Sequence, residues 1–426
     1  MIGSILEASN LSKAERQVLR NKGASGVDGI RYSDLPGFIR KHRAKLLNSI
    51  IYNSYIPDAI LGVSIPKGEG KTRLLGIPTV VDRWLQQAVS QQLMTRFEYD
   101  FEPFSYGFRP KKSLHKALLQ AQRYINDGFQ DIVDIDLAGF FDTVDHSILL
   151  QLIYNKVQCQ TTLRLIRKWL RSPIVVDGRF YKRRRGIPQG SPLSPLLSNI
   201  MLDVLDKELE RQGLRYVRYA DDFSIYTTSK SKAKEVGNKI YVFLRDKLKL
   251  PINKAKSGIR RPVNFELLGH GFVPIYKKGI KGQYQLVVSK SSWHVFKRNL
   301  RRLTKKTKPM SLIERLDRIT QVCRGWLNNY RLTNSFTKLK KLDEWLRNRL
   351  RYCIWHDWKK PERKRKNLIR LGVTYGQAYA WSRTRMGGWA VAQSPILGTT
   401  ITISRLKRKG YVPMIDYLNK RQTSIW

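Results

Sequence analysis

The chain has 426 residues and a formal net charge of +47, because 80 Lys and Arg residues outnumber 33 Asp and Glu residues. A charge this large favours a polyanionic partner, of which nucleic acid is the first candidate. No apolar run approaches the roughly 18 to 20 residues of a membrane-spanning helix, and the N-terminus lacks the basic and apolar regions of a secretory signal. We therefore predict a cytoplasmic protein that does not bind membranes. Its 3 widely separated cysteines indicate neither disulfides nor a zinc site.

The positive charge is concentrated in the C-terminal third of the chain. From residue 277 to residue 426, 36 Lys and Arg residues stand against 7 Asp and Glu residues, a net charge of +29. This shift predicts a domain boundary near residue 277. Before it, short apolar runs alternate with helical patterns, as in an α+β domain. After it, helical patterns dominate.

Two cations flank a predicted hairpin turn in "IPKGEGKTRLLGIP". Lys67 and Arg73 lie on either side of the turn at "KGEGK". Both could converge on a triphosphate, since lysine and arginine are the usual phosphate ligands. The alternative is that they are solvated surface charges.

The next motif, "DIVDIDLAGFFD", predicts a strand that runs into a turn. Asp134 and Asp136 would share one face of this strand because side chains alternate between faces. Each Asp taken singly fits an ordinary position at a strand end.

A Gly- and Pro-rich loop, "GIPQGSP", precedes a predicted helix. Ser194 is predicted as the N-cap of this helix and Pro195 as its first residue. A loop without bulky side chains lets a ligand approach the backbone closely. The alternative is a simple turn before a helix.

The segment "LRYVRYADDFSIYTT" predicts a β-hairpin with two adjacent carboxylates at its tip. Asp221 and Asp222 repel each other unless an opposite charge is near. If this hairpin and the strand before Asp136 are neighbours in one sheet, three carboxylates converge. Such a cluster can hold two Mg²⁺ ions about 4 Å apart. Ordinary turn residues are the alternative.

The C-terminal part contains two predicted amphipathic helices and a basic segment. Residues 289 to 358 combine a basic face with aromatic residues, which suits contacts with nucleic acid phosphates. We expect Trp326, Trp345 and Trp355 to be core residues rather than base-stacking ones. The segment "KKPERKRKN" is predicted as a basic linker. Apolar residues after it should let the tail fold: Leu368, Ile369, Leu371, Tyr375, Tyr379 and Trp381.

In order and spacing, these stretches resemble the reverse transcriptases, or maturases, encoded by bacterial group II introns. The resemblance runs through "NKGASGVDGI", "IPKGEGKTRLLGIP", "SYGFRPKKSLHKAL", "VDIDLAGFFDTVDH", "GIPQGSPLSPLLSNIML", "RYADD", "KSGI", "LLGHGF" and "RGWLNNYRL". It implies an α+β right-hand polymerase with fingers, an antiparallel palm sheet, an α-helical thumb and a small basic C-terminal region. The implied domains are the N-terminal extension with fingers (1–85), the palm with remaining fingers (86–276), the thumb or maturase X domain (277–358) and a DNA-binding D region (359–426).

The resemblance also implies roles for single residues. The catalytic carboxylates would be Asp136, Asp221 and Asp222, which with the carbonyl of Leu137 hold two Mg²⁺ ions or, in substitution, Mn²⁺. Phe141 would reject a 2′-hydroxyl, and Lys256 would protonate the leaving pyrophosphate. The dNTP site would comprise Lys67, Arg73, Gly139, Phe140, Phe141, Gln189 and Lys256. Template and primer would contact Arg109, Gly190, Leu268 and Gly269. The thumb would bind RNA through Lys297, Arg298, Arg301, Arg302 and Arg324.

The implied function is RNA-directed DNA polymerisation by a maturase that binds its group II intron RNA, assists splicing and copies the intron during retrohoming. The implied partners are intron RNA, an RNA template with a DNA primer, target DNA and dNTPs, in a bacterial cytoplasmic ribonucleoprotein. Relatives with a Cys-rich endonuclease module cut the second DNA strand, and the tail from Lys359 has no Cys. We therefore expect no second-strand cleavage by this chain. A splicing-only maturase, or an intron-free reverse transcriptase used in repair or defence, remains an alternative.

Overall fold

The structure is a computed structural model that describes residues 1–68, 70–278 and 281–422. The chain divides into two compact units, Met1–Phe265 and Glu266–Trp426. This observed boundary, after Phe265, lies earlier in the chain than the boundary near residue 277 that the charge shift predicted.

The helices of the first unit begin mostly at side chains that can accept a hydrogen bond from the first turn. Thr79 accepts one from the backbone N–H of Asp82, and Ser113 and Ser229 do the same for their helices. The helices are α1 (Ile2–Leu6), α2 (Ala8–Asn21), α3 (Leu35–Ile51), α4 (Val80–Phe97), α5 (Leu114–Asn126), α6 (Phe140–Thr143), α7 (His146–Val157), α8 (Gln160–Arg171), α9 (Ser194–Arg211) and α10 (Lys230–Asp246).

Two four-stranded sheets complete the first unit. Their strands are β1 (Ile60–Gly68), β2 (Lys71–Ile77), β3 (Asp131–Ile135), β4 (Ile174–Val176), β5 (Arg179–Tyr181), β6 (Arg215–Tyr219), β7 (Asp222–Thr227) and β8 (Gly258–Arg260). One sheet has the order β2-β1-β4-β5, in which β1 and β2 form the predicted hairpin. The other, which we call the central sheet, has the order β6-β7-β3-β8 with antiparallel neighbours.

A hydrophobic core joins most helices of the first unit to the central sheet. The long helix α9 is buried along most of its length, and Leu196, Met201 and Leu205 lie in this core. Val133 and Ile135 of β3 and Ile225 of β7 belong to the same cluster. The central sheet therefore rests on a packed layer, and the loops at the strand ends are placed by that layer.

The second unit begins with a small sheet and continues as helices. Its strands are β9 (Glu266–Leu267), β10 (His270–Pro274) and β11 (Tyr284–Val288). Because β10 pairs with both β9 and β11, the chain on either side of residue 277 belongs to one sheet. This pairing explains why the division does not fall at residue 277. The helices are α11 (Lys290–Leu303), α12 (Leu312–Asn329), α13 (Phe336–Asp357), α14 (Pro361–Arg370), α15 (Tyr375–Ser382), α16 (Gly388–Gln393), α17 (Pro395–Thr400), α18 (Ile403–Arg408) and α19 (Met414–Gln422).

The core of the second unit confirms that the predicted aromatics are packing residues. The ring of Trp326 stacks on that of Phe296 with the centroids 4.2 Å apart, Trp355 is 4% exposed, and Trp345 packs against the same cluster. The segment predicted as a basic linker instead opens helix α14, with Pro361 in its first turn. Proline is tolerated there because that N–H has no partner within the helix.

The apolar residues of the tail divide into two groups. Leu368 is fully buried, and Leu371 and Trp381 pack against the core. Ile369, Tyr375 and Tyr379 are exposed, so they do not hold the tail as predicted. In the described part of the chain, no helix combines the length and apolar character that a bilayer crossing requires.

Candidate active site

The two adjacent carboxylates lie at the tip of a β-hairpin, as predicted. Strands β6 and β7 pair antiparallel, and Tyr219 lies opposite Asp222. Ala220 turns the chain with a φ of 59°, in the left-handed region. Asp221 stands in this turn and Asp222 is the first residue of β7.

The strand before Asp136 is the neighbour of this hairpin, also as predicted. Strand β3 pairs with β7 so that Ile135 lies opposite Phe223. Asp136 follows directly, and its Oδ2 accepts a hydrogen bond from Nδ2 of Asn253 at 2.9 Å. The ammonium of Lys256 lies 3.9 Å from the same oxygen. The fold thus brings Asp136 and Lys256 to the edge where the hairpin turns.

Burial and neighbouring carboxylates raise the pKa of Asp222 at this edge. Partial removal from water is the largest cause that raises the pKa of Asp222 to about 6, although part of the residue is exposed. The charges of Asp221, Asp136 and Asp134 add to the rise, and Lys256 opposes it. Asp134 differs from the other three because its carboxylate accepts a hydrogen bond from Arg260 Nε at 2.7 Å. In the part of the chain that the structure describes, Asp136, Asp221 and Asp222 have no such arginine partner.

These carboxylates fit a hard divalent cation in chemistry and charge. Mg²⁺ prefers oxygen ligands, and a cation would remove the repulsion that raises the pKa of Asp222. In the described residues, however, no three carboxylate, imidazole or thiol groups stand close enough to hold one ion together as they are. One oxygen of Asp136 is instead engaged by the Asn253 amide. Ligation by all three carboxylates would thus require their side chains to turn toward one point.

A buried ion pair holds the hairpin, and the sequence analysis missed it. Arg218 and Asp206 are both inaccessible to solvent, and Arg218 Nε donates to Asp206 Oδ1 at 2.8 Å. Arg218 Nη1 also donates to the carbonyl of Ala220 and to Oδ1 of Asn199, each at 3.0 Å. Burial lowers the pKa of Arg218, but Asp206 outweighs that effect and the pKa rises. The guanidinium therefore ties the left-handed turn to helix α9.

The loop "SYGFRP" supports the same turn from the other side. A Cβ on Gly107 would lie 2.3 Å from the backbone nitrogen of Ala220, so only glycine fits there. The carbonyl of Gly107 accepts a hydrogen bond from Asn199 Nδ2 at 2.9 Å. The tip of the hairpin is thus fixed by Arg218, Asn199 and Gly107 together.

A cavity of about 510 Å³ gathers three of the seven predicted dNTP residues and one predicted template contact. Arg73 of β2, Phe141 of α6, and Gln189 and Gly190 of the loop before α9 all line it. The side chain of Lys67 lies outside the described residues. The side chain of Phe141 is half-buried at this cavity. These four residues therefore line one cavity with the volume of a small-ligand site, whereas Gly139, Phe140 and Lys256 are not among its lining residues.

The N-terminal helices contribute to this cavity, which the sequence did not indicate. Asn21, Gly23 and Arg83 are among its lining residues. Arg83 is 9% exposed, and its Nη2 donates to the carbonyl of Ala24 at 2.6 Å. Its buried Nε has no hydrogen-bond partner within the described residues. A buried guanidinium with a spare donor suits an acidic ligand.

Two residues predicted to belong to the site, Leu137 and Phe140, have buried side chains. Phe140 is 2% exposed and belongs to the core, so its ring does not face the cavity as the predicted set implied. Gly139 precedes α6 in the left-handed conformation, with a φ of 58°. Leu137 has a buried side chain and forms an isolated bridge with Ile252. Its backbone carbonyl is therefore the only group of Leu137 that could bind a metal ion.

Two residues of the predicted template contacts have structural tasks instead. Arg109, with 5% of its side chain exposed, pairs with Glu98 and donates to the carbonyls of Glu102 and Ser105. Each nitrogen of the Arg109 guanidinium donates to an acceptor between residues 98 and 105, so the side chain is engaged within its own loop. A Cβ on Gly190 would lie 2.5 Å from the carbonyl oxygen of Gly76, so the close approach at Gly190 is to strand β2.

The predicted helix cap at Ser194 is displaced by one residue. Leu193 precedes the helix and Ser194 is its first residue. The Ser194 hydroxyl donates to the carbonyl of Pro188 at 2.6 Å, while the Ser191 hydroxyl accepts from the Leu193 N–H at 3.2 Å. The two serines thus stabilise the loop rather than cap the helix.

The remaining predicted residues lie in the second unit. Leu268 and Gly269 form the turn between β9 and β10, both with positive φ. Gly269 is packed closely, since a Cβ there would lie 2.8 Å from both Ser292 Oγ and Tyr330 Oη. The predicted RNA-binding side chains are all exposed: Lys297, Arg298, Arg301, Arg302 and Arg324. Exposure leaves these cations available to a polyanion.

Known proteins resemble both units. Residues 65–272 match the family model described as reverse transcriptase (RNA-dependent DNA polymerase), and residues 294–372 match the maturase-specific domain of group II introns. Protein YkfC of Escherichia coli (strain K12) is 30% identical over 319 residues, which cover 65% of this chain and 83% of YkfC. The group II intron-encoded protein LtrA of Lactococcus lactis subsp. cremoris is 36% identical over 206 residues, which cover 48% of this chain.

The alignment spans 34% of LtrA, about a third of its length. A solved structure of telomerase from Candida albicans aligns with 81% of this chain and 68% of its own, at 12% identity and a TM-score of 0.43. The two family models follow each other along the chain in the order that the sequence motifs predicted. With a reverse transcriptase domain followed by a maturase-specific domain, the chain belongs to the family of group II intron-encoded reverse transcriptases.

Proposed function

We propose that this chain is an RNA-directed DNA polymerase that binds group II intron RNA, assists its splicing and copies it during retrohoming. The observation that carries the proposal is the pairing of β7 with β3, which sets Asp221 and Asp222 beside Asp136. Phe141 follows Asp136 by a short loop and lines the nucleotide-sized cavity. Asp136, one of the carboxylates for cations, and Phe141, which lines the cavity for a nucleotide, are therefore only five positions apart in the chain.

The catalytic carboxylates would be Asp136, Asp221 and Asp222, with the Leu137 carbonyl as a fourth ligand. These residues would hold Mg²⁺, or Mn²⁺ in its place, which would supply a lower pKa for an attacking hydroxyl and neutralise charge on a leaving phosphate. The side chains must first turn together, and Asp136 could ligate through Oδ1 while Oδ2 keeps its hydrogen bond from the Asn253 amide.

The cations and the aromatic ring near this cluster have separate tasks in the proposal. Arg73, with Lys67, would bind the triphosphate through charge-assisted hydrogen bonds. Lys256, whose ammonium lies 3.9 Å from Asp136, would supply a proton to the leaving pyrophosphate. Phe141 would pack under the sugar and exclude a 2′-hydroxyl. Gln189 would contact the incoming nucleotide.

The second unit would provide affinity for RNA and target DNA. Its predicted RNA-binding cations are exposed and lie on α11 and α12. Contacts of exposed cations with phosphates give affinity without reading the sequence. In this proposal the first unit carries the N-terminal extension, fingers and palm, and the second carries the thumb and D region, with the boundary at Phe265.

Extension of a DNA primer on an RNA template, with dNTPs and Mg²⁺, tests the proposal. Asp221→Asn should reduce extension by orders of magnitude, because it removes a charged ligand while the nucleic-acid contacts stay intact. RNA affinity, measured in parallel, should stay near that of the wild type. Asp246→Asn is the matched control, since this carboxylate is exposed on α10 and should leave extension unchanged.

Full extension by Asp221→Asn would refute the assignment of the carboxylates. Wild-type protein that binds intron RNA and promotes splicing but never extends a primer would favour the splicing-only alternative. Splicing by Asp221→Asn at the wild-type rate, together with lost extension, would show that the two activities use different residues.

A further inference from the structure

A small cavity in the second unit is lined by cations and aromatic rings. Its volume is about 330 Å³. It lies where helix α13 meets the segment after α11, the start of α14 and the chain before α16. The lining residues that matter here are Lys306, Tyr352, Trp355, Lys359, Lys364 and Gly388. We call this cavity the Tyr352 pocket.

The three lysines of the Tyr352 pocket have no carboxylate partner within the described residues. The nearby ion pairs use other side chains: Glu362 pairs with Arg383, and Asp357 lies beside His356, another residue of the pocket wall. Lys364 has its ammonium 4.4 Å from the ring centroid of Trp355, and Lys306 has its ammonium 5.5 Å from that of Tyr352. Burial lowers the pKa of Lys364. An anion in the pocket would compensate these charges.

The aromatic wall is shaped by Tyr352 and kept open by a glycine. The Tyr352 ring is half-buried, and Trp389 packs edge-on against it with centroids 5.8 Å apart. A Cβ on Gly388 would lie 3.1 Å from Cε2 of Tyr352 and 3.5 Å from Cδ1 of Trp355. A larger residue at position 388 would therefore occupy the space in front of both rings.

The two kinds of wall together select the class of ligand. A free inorganic anion would use the lysines alone and make no use of the aromatic wall, and an apolar molecule would leave three ammonium groups without an anion. A nucleotide uses both, since its phosphate pairs with lysine and its base lies against an aromatic ring. The volume is at the lower end of small-ligand pockets, which suits one nucleotide. A base within a duplex is stacked and paired, so it cannot enter.

We propose that the Tyr352 pocket binds one unpaired nucleotide of a single-stranded RNA or DNA. This inference rests on the proposed nucleic-acid function and gives it a specific site, formed jointly by the maturase-specific region and the tail that follows it. The phosphate contacts Lys306, Lys359 and Lys364, and the base lies along Tyr352.

Photo-crosslinking with the full-length chain tests the location. The probes are single-stranded 12-nucleotide RNA and DNA oligomers, each with one central 5-iodouracil. Mass spectrometry of the crosslinked peptides should identify the stretch from Tyr352 to Lys364 or the stretch from Thr384 to Gly388. The probe with the higher yield identifies the strand that the pocket takes. Uridine monophosphate should suppress this crosslink at concentrations at which inorganic phosphate does not.

Affinity measurements with the same oligomers test the residues. A variant with Lys306→Ala, Lys359→Ala and Lys364→Ala should bind more weakly, and its dependence on log salt should be shallower by about 0.7, the contribution of one neutralised phosphate of a single strand. The matched control changes three exposed lysines of α13, Lys338, Lys340 and Lys341, to alanine and removes the same charge. Gly388→Val is a second test, because it fills the pocket without changing charge.

Gly388→Val should lower the crosslink yield by about tenfold, the range expected for loss of one stacked base. Equal loss of affinity in the pocket and control variants, or crosslinks found only elsewhere, would overturn the inference. So would equal suppression by phosphate and by uridine monophosphate, which would reduce the pocket to an anion site. Primer extension by the same preparations separates the two outcomes: extension with no pocket crosslink refutes only this inference, and absent extension refutes the proposed function.

Discussion

The two units leave charges of opposite sign without a partner. In the first unit, burial and then the charges of neighbouring carboxylates raise the pKa of Asp222 to about 6. In the second unit, three lysines line the Tyr352 pocket and have no carboxylate partner within the described residues. Each imbalance indicates the ligand that would relieve it: a divalent cation in the first unit and a nucleic-acid phosphate in the second. In the proposed function, chemistry and affinity are therefore carried by different units.

Both units also contain a buried carboxylate that is fully satisfied. Asp206 is neutralised by Arg218, which holds the turn at Ala220. Asp343 of α13 is 3% exposed and accepts hydrogen bonds from the Tyr411 hydroxyl and from the first N–H groups of α19. One carboxylate thus supports the acidic hairpin, and the other fastens the last helix.

The largest expected effect is the loss of the Asp206 carboxylate. Asp206→Ala leaves the Arg218 guanidinium buried and unpaired, which should cost about 3–5 kcal/mol of the stability of the first unit. Hydrogen exchange of β6 and β7 amides, read by mass spectrometry, should report it, with α13 unaffected. Glu235→Ala is the control, because its partner Lys239 is exposed and such pairs contribute at most about 0.5 kcal/mol. A loss no larger than that of the control would contradict the role of the pair.

A smaller effect is expected from the matching change in the second unit. Asp343→Ala removes the acceptor for the start of α19, which should cost about 2–3 kcal/mol locally. Faster exchange of α19 amides and faster alkylation of Cys323 should follow, since this thiol is buried and its pKa is raised to about 12, first by burial and then by Asp343. Primer extension in the first unit should change little. Slower primer extension with unchanged exchange of the α19 amides would contradict the prediction that Asp343 acts only within the second unit.

The smallest of the three effects concerns selectivity. Phe141→Val should raise incorporation of rNTPs relative to dNTPs by about tenfold, because a smaller side chain leaves room for a hydroxyl in the cavity. Steady-state incorporation of each nucleotide, compared as kcat/KM, measures it. Phe140→Val is the control: its buried ring packs edge-on against Phe141, so the change should weaken the core and alter selectivity less. A larger shift in Phe140→Val would move the role to that residue.

Local patterns in the sequence were sufficient for the elements that carry the site. The alternation around "YADD" predicted the hairpin with Asp221 and Asp222 at its tip, and the run before Asp136 predicted β3. Helical spacing of apolar residues predicted α12 and α13. These predictions succeed because turn residues and the period of apolar side chains act over a few residues. The order of the motifs was enough to indicate the family.

Tertiary structure decided what the long charged side chains do. An arginine at the surface and one that closes a loop look alike in sequence, and only the position of Glu98 and two carbonyls shows that Arg109 is of the second kind. Glycine at 190 is required by the carbonyl of Gly76, more than a hundred residues earlier in the chain. The Arg218 and Asp206 pair and the Tyr352 pocket likewise join residues from separate elements. Hydrogen bonds and burial depend on which segments pack together, so the sequence by itself determined the elements and the packing determined their partners.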